Sequence, residues 1–116
     1  MSICIYHNPR CSKSRETLKL LQARGIEPEI REYLKDVPST DELKSVLAAL
    51  GISARELLRS KETEYKEAGL DDQSLSEDAI IKAMTEYPKL IERPIVINGD
   101  KARIGRPPES VLEILA

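Results

Sequence analysis

The sequence of 116 residues predicts an α/β fold in which a βαβ half is joined to a ββα half by a block of short helices. Three observations carry that prediction. Apolar, β-prone runs fall only toward the two ends of the chain, at 2–7, 29–33 and 94–104. A helical pattern of about one dozen residues separates the first two runs, as a parallel crossover requires. Between 39 and 87 the signals are helical, with no strand signal among them.

The elements follow in order. Ser2-Ile-Cys-Ile-Tyr-His7 reads as a strand closed by the turn pair Asn8-Pro9. Ser12 to Arg24 then carries Leu18, Leu20 and Leu21 on one side and stops at Gly25, which predicts an amphipathic helix with a glycine C-cap. Glu29 to Tyr33 is a second short strand, so residues 2–33 form a βαβ unit, expected to cross over right-handed. Ser39-Thr-Asp-Glu42 and Ser53-Ala-Arg-Glu56 both match the capping-box pattern ahead of helical runs. Further helices fit 63–68 and 76–86, the latter ended by Pro88. Pro94-Ile-Val-Ile-Asn98 and Lys101-Ala-Arg-Ile104 flank Gly99-Asp100 as a hairpin. Pro107 and Pro108 then open a last helix that runs to Leu115. This is the layout of a single thioredoxin-like domain, 1–116, with a helical insertion at about 39–87.

Composition narrows the function. A net charge of −2 gives no general basic surface for nucleic acid or for an anionic membrane. No apolar stretch approaches a membrane span, and the N-terminus lacks a signal-peptide pattern, so a cytoplasmic monomer is expected. Cys4 and Cys11 are too few for a disulfide framework, and with one histidine in the chain a metal site is not expected.

Cys11 is the residue on which chemistry would turn. It lies where strand becomes helix, in His7-Asn-Pro-Arg-Cys11-Ser-Lys-Ser-Arg15, with Arg10, Lys13 and Arg15 close by and no acid before Glu16. The positive end of a helix and neighbouring cations favour a thiolate, and the same open N–H groups favour a bound oxyanion. The bland alternative is a free cysteine that happens to fall at a turn. Cys4, inside an apolar strand, reads as a small core residue. His7 could hold the thiolate or simply close the strand. Ser14, three residues after Cys11, could face the sulfur or be a solvated first-turn serine. Arg59, Arg93 and Arg106 stand beside structural breakpoints and suit a tetrahedral oxyanion, although each taken singly reads as a surface arginine.

Two enzyme classes are disfavoured. The phosphatase loop needs Cys, five residues and Arg, but position 17 is Thr. A dithiol C-x-x-C oxidoreductase is also absent, since Ser14 occupies the second place. Any resolving thiol must come from another molecule.

The segment from Ile5 to Leu18 resembles the active-site segment of the ArsC-type, glutaredoxin-coupled arsenate reductases. The resemblance continues through Gly51–Arg59 and Glu92-Arg-Pro-Ile-Val96 and ends in Arg106-Pro-Pro-Glu109. It implies a thioredoxin-like fold with a helical insertion, and a cis bond at Arg93-Pro94. It implies Cys11 as nucleophile, Arg59, Arg93 and Arg106 as the oxyanion-binding set, and His7 and Ser14 as thiolate-stabilising. The implied reaction is reduction of arsenate to arsenite through a Cys11 adduct, with glutathione as co-substrate, glutaredoxin as partner and no bound cofactor. Two departures from arsenic-resistance members are visible. Arg10, Ser12 and Lys13 replace the smaller, neutral residues those members carry, and the chain stops at Ala116 without their C-terminal extension.

Two other readings compete. One is an Spx-like regulator that binds RNA polymerase, against which the missing C-x-x-C switch and the three arginines both count. The other is a monothiol, glutathione-dependent reductase of a different small oxidant, which would use Cys11 but be indifferent to Arg59 or Arg93.

Overall fold

A computed structural model describes residues 3–115, which form two compact units, one built from the segments up to Asp36 and from Arg93 onward, the other from Val37–Glu92. The first unit holds the sheet. β1 (Ile3–Tyr6) pairs in parallel with β2 (Glu29–Arg31) and antiparallel with β3 (Ile95–Asn98), and β3 pairs antiparallel with β4 (Lys101–Ile104). The order is therefore β2-β1-β3-β4, with β1 between its parallel and antiparallel neighbours. These strands and their connections bear out the βαβ and ββα halves and define a thioredoxin-like fold. The start of the expected first strand, at Ser2, lies outside the described residues.

Alternation explains the core. Ile3 and Ile5 of β1 share a face and pack with Val96, with Leu21 of α1 (Ser12–Ala23) and with Val111 and Ile114 near the end of the chain. The α1 helix ends as expected: Gly25 adopts φ +76°, and Ile26 N–H reaches back to Leu21 O at 3.0 Å, which returns Ile26 to the same core. In the hairpin Gly99 takes φ +63° between the facing residues Asn98 and Lys101, a conformation that costs glycine little.

Two expectations in this unit are corrected. β2 stops at Arg31 rather than Tyr33 because Glu32 O captures the N–H groups of Lys35 and Asp36, both at 2.9 Å, and turns the chain. Tyr33 is instead stacked on Tyr6, ring centroids 6.4 Å apart. The final helix, Pro108–Ile114, is 3₁₀ rather than α. Its buried residues are Pro108, Val111 and Ile114, a period of three that matches three residues per turn.

The second unit is helical: α2 (Thr40–Leu50), α3 (Ala54–Leu57), α4 (Thr63–Glu67), α5 (Glu77–Glu86) and a 3₁₀ turn at Pro88–Leu90. The capping box at Ser39 is complete, with Ser39 Oγ accepting from Glu42 N–H and Glu42 Oε1 accepting from Ser39 N–H. At Ser53 it is one-sided: the hydroxyl accepts from Glu56 N–H and donates to the Glu56 carboxylate. Glu77 of α5 instead takes the next open donor of that helix start, accepting from Ala54 N–H at 2.9 Å. One isolated antiparallel bridge, Leu58 to Ile91, ties the end of α3 to the end of the unit. Among the described residues no helix is long and apolar enough to cross a membrane.

Candidate active site

The loop between β1 and α1 is built by Asn8. Its carbonyl accepts from Cys11 N–H at 3.0 Å and its side-chain Oδ1 accepts from Arg10 N–H at 3.0 Å, with Pro9 at the second position of the turn. Cys11 thereby becomes the N-cap of α1, in extended conformation, while its own carbonyl takes the first helical bond from Arg15 N–H. Among the described residues no side chain caps the first turn, and no acid lies in it. The N–H groups there remain open toward an anion.

Cys11 is buried, at 9% exposure, so its sulfur sits in a recess rather than on a surface. Arg106 Nη2 approaches Sγ at 3.7 Å. The guanidinium is held there through its Nε, which donates to Arg93 O at 2.8 Å. Gly105 N–H donates to Pro94 O, so the two segments Arg93-Pro94 and Gly105-Arg106 form one corner. Both X-Pro bonds of this corner, Arg93-Pro94 and Arg106-Pro107, are cis. The first is the cis bond that the resemblance implied.

His7 and Ser14 meet beneath the loop. Ser14 Oγ and His7 Nδ1 are 2.6 Å apart, and Ser14 Oγ also accepts from Asn8 N–H at 3.0 Å. With the Asn8 bond taken by a lone pair, the hydroxyl proton is free to point at Nδ1, which suits a neutral imidazole. Burial lowers the His7 pKa below 6.5, helped by Arg15 and opposed by Glu32. The folded state therefore binds less proton at His7 than the unfolded chain does. Its stabilising contribution is complete above pH 6.5 and is lost as pH falls through the lowered folded value. Because this is the one histidine, the effect can be isolated. We expect the urea midpoint to fall between about pH 7.5 and about pH 5.5 by more in the wild type than in His7→Asn; equal falls would contradict a buried, neutral His7.

The remaining expected residues are placed as follows. Arg93 is half-buried at the corner that anchors Arg106. Arg59 belongs to the second unit, just after α3, where its Nε lies 3.7 Å from Glu62 and 4.0 Å from Glu92, and its buried Nη1 makes no hydrogen bond among the described residues. Of the loop cations, Lys13 is paired with Glu16 at 3.6 Å and Arg15 Nη1 donates to Pro9 O at 2.9 Å. Pattern reading missed Thr17 and Gly105. Thr17 is fully buried and donates to Lys13 O, and a Cβ on Gly105 would come within 2.5 Å of Thr17 Oγ1. The one available signal was a glycine immediately before Arg106.

A thioredoxin-like sheet with a recessed cysteine at an uncapped helix start, beside a cis-proline corner, defines a thiol-bearing member of that fold. The chain belongs to the ArsC family, whose family model matches residues 6–114. It is 57% identical over 116 residues to a protein of Haemophilus influenzae named arsenate reductase, covering 99% of this chain and 100% of that one. It is 61% identical over 112 residues to the Escherichia coli K12 protein named "Uncharacterized protein YfgD", covering 96% and 94%. The solved structure of an arsenate reductase from Vibrio cholerae matches with a TM-score of 0.96 and 57% identity, covering 99% of this chain and 98% of that one.

Proposed function

We propose that the chain is a cytoplasmic arsenate reductase that draws its electrons from glutathione through glutaredoxin. The observation that carries the reading is the pairing of a recessed Cys11 with the Arg106 guanidinium, 3.7 Å from its sulfur at an uncapped helix start. Nucleophile and anion-binding groups thus share one place, and the relatives named arsenate reductases supply the oxyanion.

In this reading the Cys11 thiolate attacks arsenic, an S–As bond forms, and one arsenate oxygen leaves as water or hydroxide. Arg106, with Arg93 at the same corner, neutralises the charge that accumulates on the remaining oxygens. His7 and Ser14 favour the thiolate by fixing the loop: Ser14 takes the Asn8 N–H, and Asn8 sets the turn that presents Cys11. One glutathione then attacks arsenic and expels a second oxygen as water. The glutaredoxin thiolate takes the glutathionyl sulfur as a mixed disulfide, leaving the As–S bonding pair on arsenic. A second glutathione resolves that disulfide, and water cleaves the Cys11–As bond to release arsenite and restore the thiolate. Arsenic gains two electrons as two thiols become one disulfide. The sum is one dihydrogen arsenate and two glutathiones giving one dihydrogen arsenite, one glutathione disulfide and water.

The test is arsenate-dependent NADPH oxidation by purified protein with glutathione, glutaredoxin and glutathione reductase. Turnover should require both glutathione and glutaredoxin. A folded protein that is silent in the complete system would remove arsenate as substrate, and turnover without glutaredoxin would remove it as partner.

A further inference from the structure

The first unit holds a cleft of about 290 Å³ beside the cysteine loop, between His7–Arg10 on one side and Glu32, Leu34 and Lys35 on the other. β1 and β2 run parallel, so both walls are the segments that leave the carboxyl ends of adjacent strands, where α/β sheets carry their ligands. Strand order separates this cleft from the arginine corner. Arg93 precedes β3 and Arg106 follows β4, whereas the cleft lies on the β2 side of β1. Cys11 follows Arg10, the last residue of the loop that lines the cleft, and its sulfur meets Arg106.

The charges of the lining select a ligand class. Arg10 and Lys35 are cationic, and Glu32 is anionic, with its carboxylate 3.8 Å from Lys35 Nζ. Pro9 and Leu34 add apolar surface. His7 Nδ1 is engaged by Ser14, and burial keeps the ring neutral, so it adds no cation. A small inorganic oxyanion would be repelled by Glu32 and would leave most of the volume empty. A γ-glutamyl peptide thiol offers two carboxylates and one ammonium, which complement two cations and one carboxylate.

We propose that this cleft binds the peptide thiol of the reaction, glutathione, with Arg10 and Lys35 receiving its carboxylates and Glu32 its ammonium. The assignment rests on the glutathione-dependent reading. It places the two co-substrates on separate cations, so that arsenate and glutathione need not compete for them.

The experiment is a titration of isotope-labelled protein with S-methylglutathione, which binds without reacting. Amide shifts should change at His7, Asn8, Arg10 and at 32–35. Lys35→Glu should weaken binding about fivefold and Lys35→Arg should retain it, and binding should fall as salt rises. The Lys35 side chain is 84% exposed, so the reversal leaves packing intact. In turnover, Lys35→Glu should raise the KM for glutathione by a similar factor and leave both the KM for arsenate and the alkylation rate of Cys11 unchanged. Shifts confined elsewhere, no binding at millimolar analogue, or an unchanged affinity in Lys35→Glu would each overturn the assignment. The titration contains no arsenate, so cleft binding by a protein that fails to reduce arsenate upholds the cleft while removing the substrate. Arsenate turnover without cleft binding does the reverse.

Discussion

Cys11→Ser should abolish arsenate-dependent turnover, a loss of at least ~10³-fold, while Cys4→Ser should leave it nearly intact. The reason for the first effect is chemical. A serine hydroxyl is not ionised near neutral pH, so the first bond to arsenic should not form, although Arg106 and the uncapped helix start, the groups proposed to hold the oxyanion, remain in place. The reason for the second is position. In β1 the core face is made by Ile3 and Ile5, so Cys4 projects to the other face, where it is only half-buried. Exchanging its sulfur for oxygen there should change stability by ~1 kcal/mol or less. Coupled NADPH oxidation reads the activity, and thiol titration of the folded protein verifies which cysteine is gone. Equal loss in the two variants would mean that the chain resolves its own intermediate with Cys4, and glutathione would lose its place in the cycle.

How much of this was legible in the sequence depends on the range of the interaction. Local signals read well. Ser39 and Glu42 close their box over three residues, Gly25 stops α1, and Gly99 turns the hairpin, because each rests on backbone geometry that neighbours alone determine. The sequence does not distinguish the final 3₁₀ helix from an α-helix, because two prolines suit the first turn of either. Only the spacing of Pro108, Val111 and Ile114 separates them. The buried stripe of α1 is Ser14, Thr17 and Leu21, and hydrophobic periodicity found its apolar end but not its polar one. That polar end is the part of the helix nearest Cys11. Charge pattern places Lys13 and Arg15 near the thiol but not their partners: Lys13 is paired with Glu16, which offsets its charge, whereas Arg15 donates to the neutral Pro9 carbonyl and stays cationic. Arginines beside breakpoints could be marked as candidates. Which one reaches the sulfur is a contact across 95 positions of chain, and no local pattern encodes it.

Gly105→Ala should have the largest effect of any substitution that removes no functional group. The added Cβ would lie 2.5 Å from Thr17 Oγ1, 2.8 Å from Pro94 Cγ and 3.2 Å from Thr17 Cγ2. None of these atoms can yield cheaply. Thr17 is fully buried and its hydroxyl is bonded to Lys13 O at 2.8 Å, and Pro94 is a ring whose carbonyl already holds Gly105 N–H. Overpacking of this kind costs ~1–3 kcal/mol, which for a domain of this size lowers Tm by roughly 4–12 °C. The functional cost should exceed the stability cost. The strand end that must retreat is the one that delivers Arg106, and an ångström of retreat breaks either its bond to Arg93 O or its approach to Sγ. At a temperature where the variant is fully folded, kcat/KM for arsenate should therefore fall ~10²-fold. Alkylation of Cys11 by the anionic reagent iodoacetate should slow more than alkylation by neutral iodoacetamide, since the missing group is a cation. Thr17→Ala on the Gly105→Ala background removes the two threonine contacts and should recover part of both Tm and activity, leaving the Pro94 contact as the remainder. A Gly105→Ala protein with wild-type Tm and wild-type turnover would mean that the corner does not depend on this close approach. Loss of Tm with full turnover would mean that Arg106 is positioned by something other than Gly105.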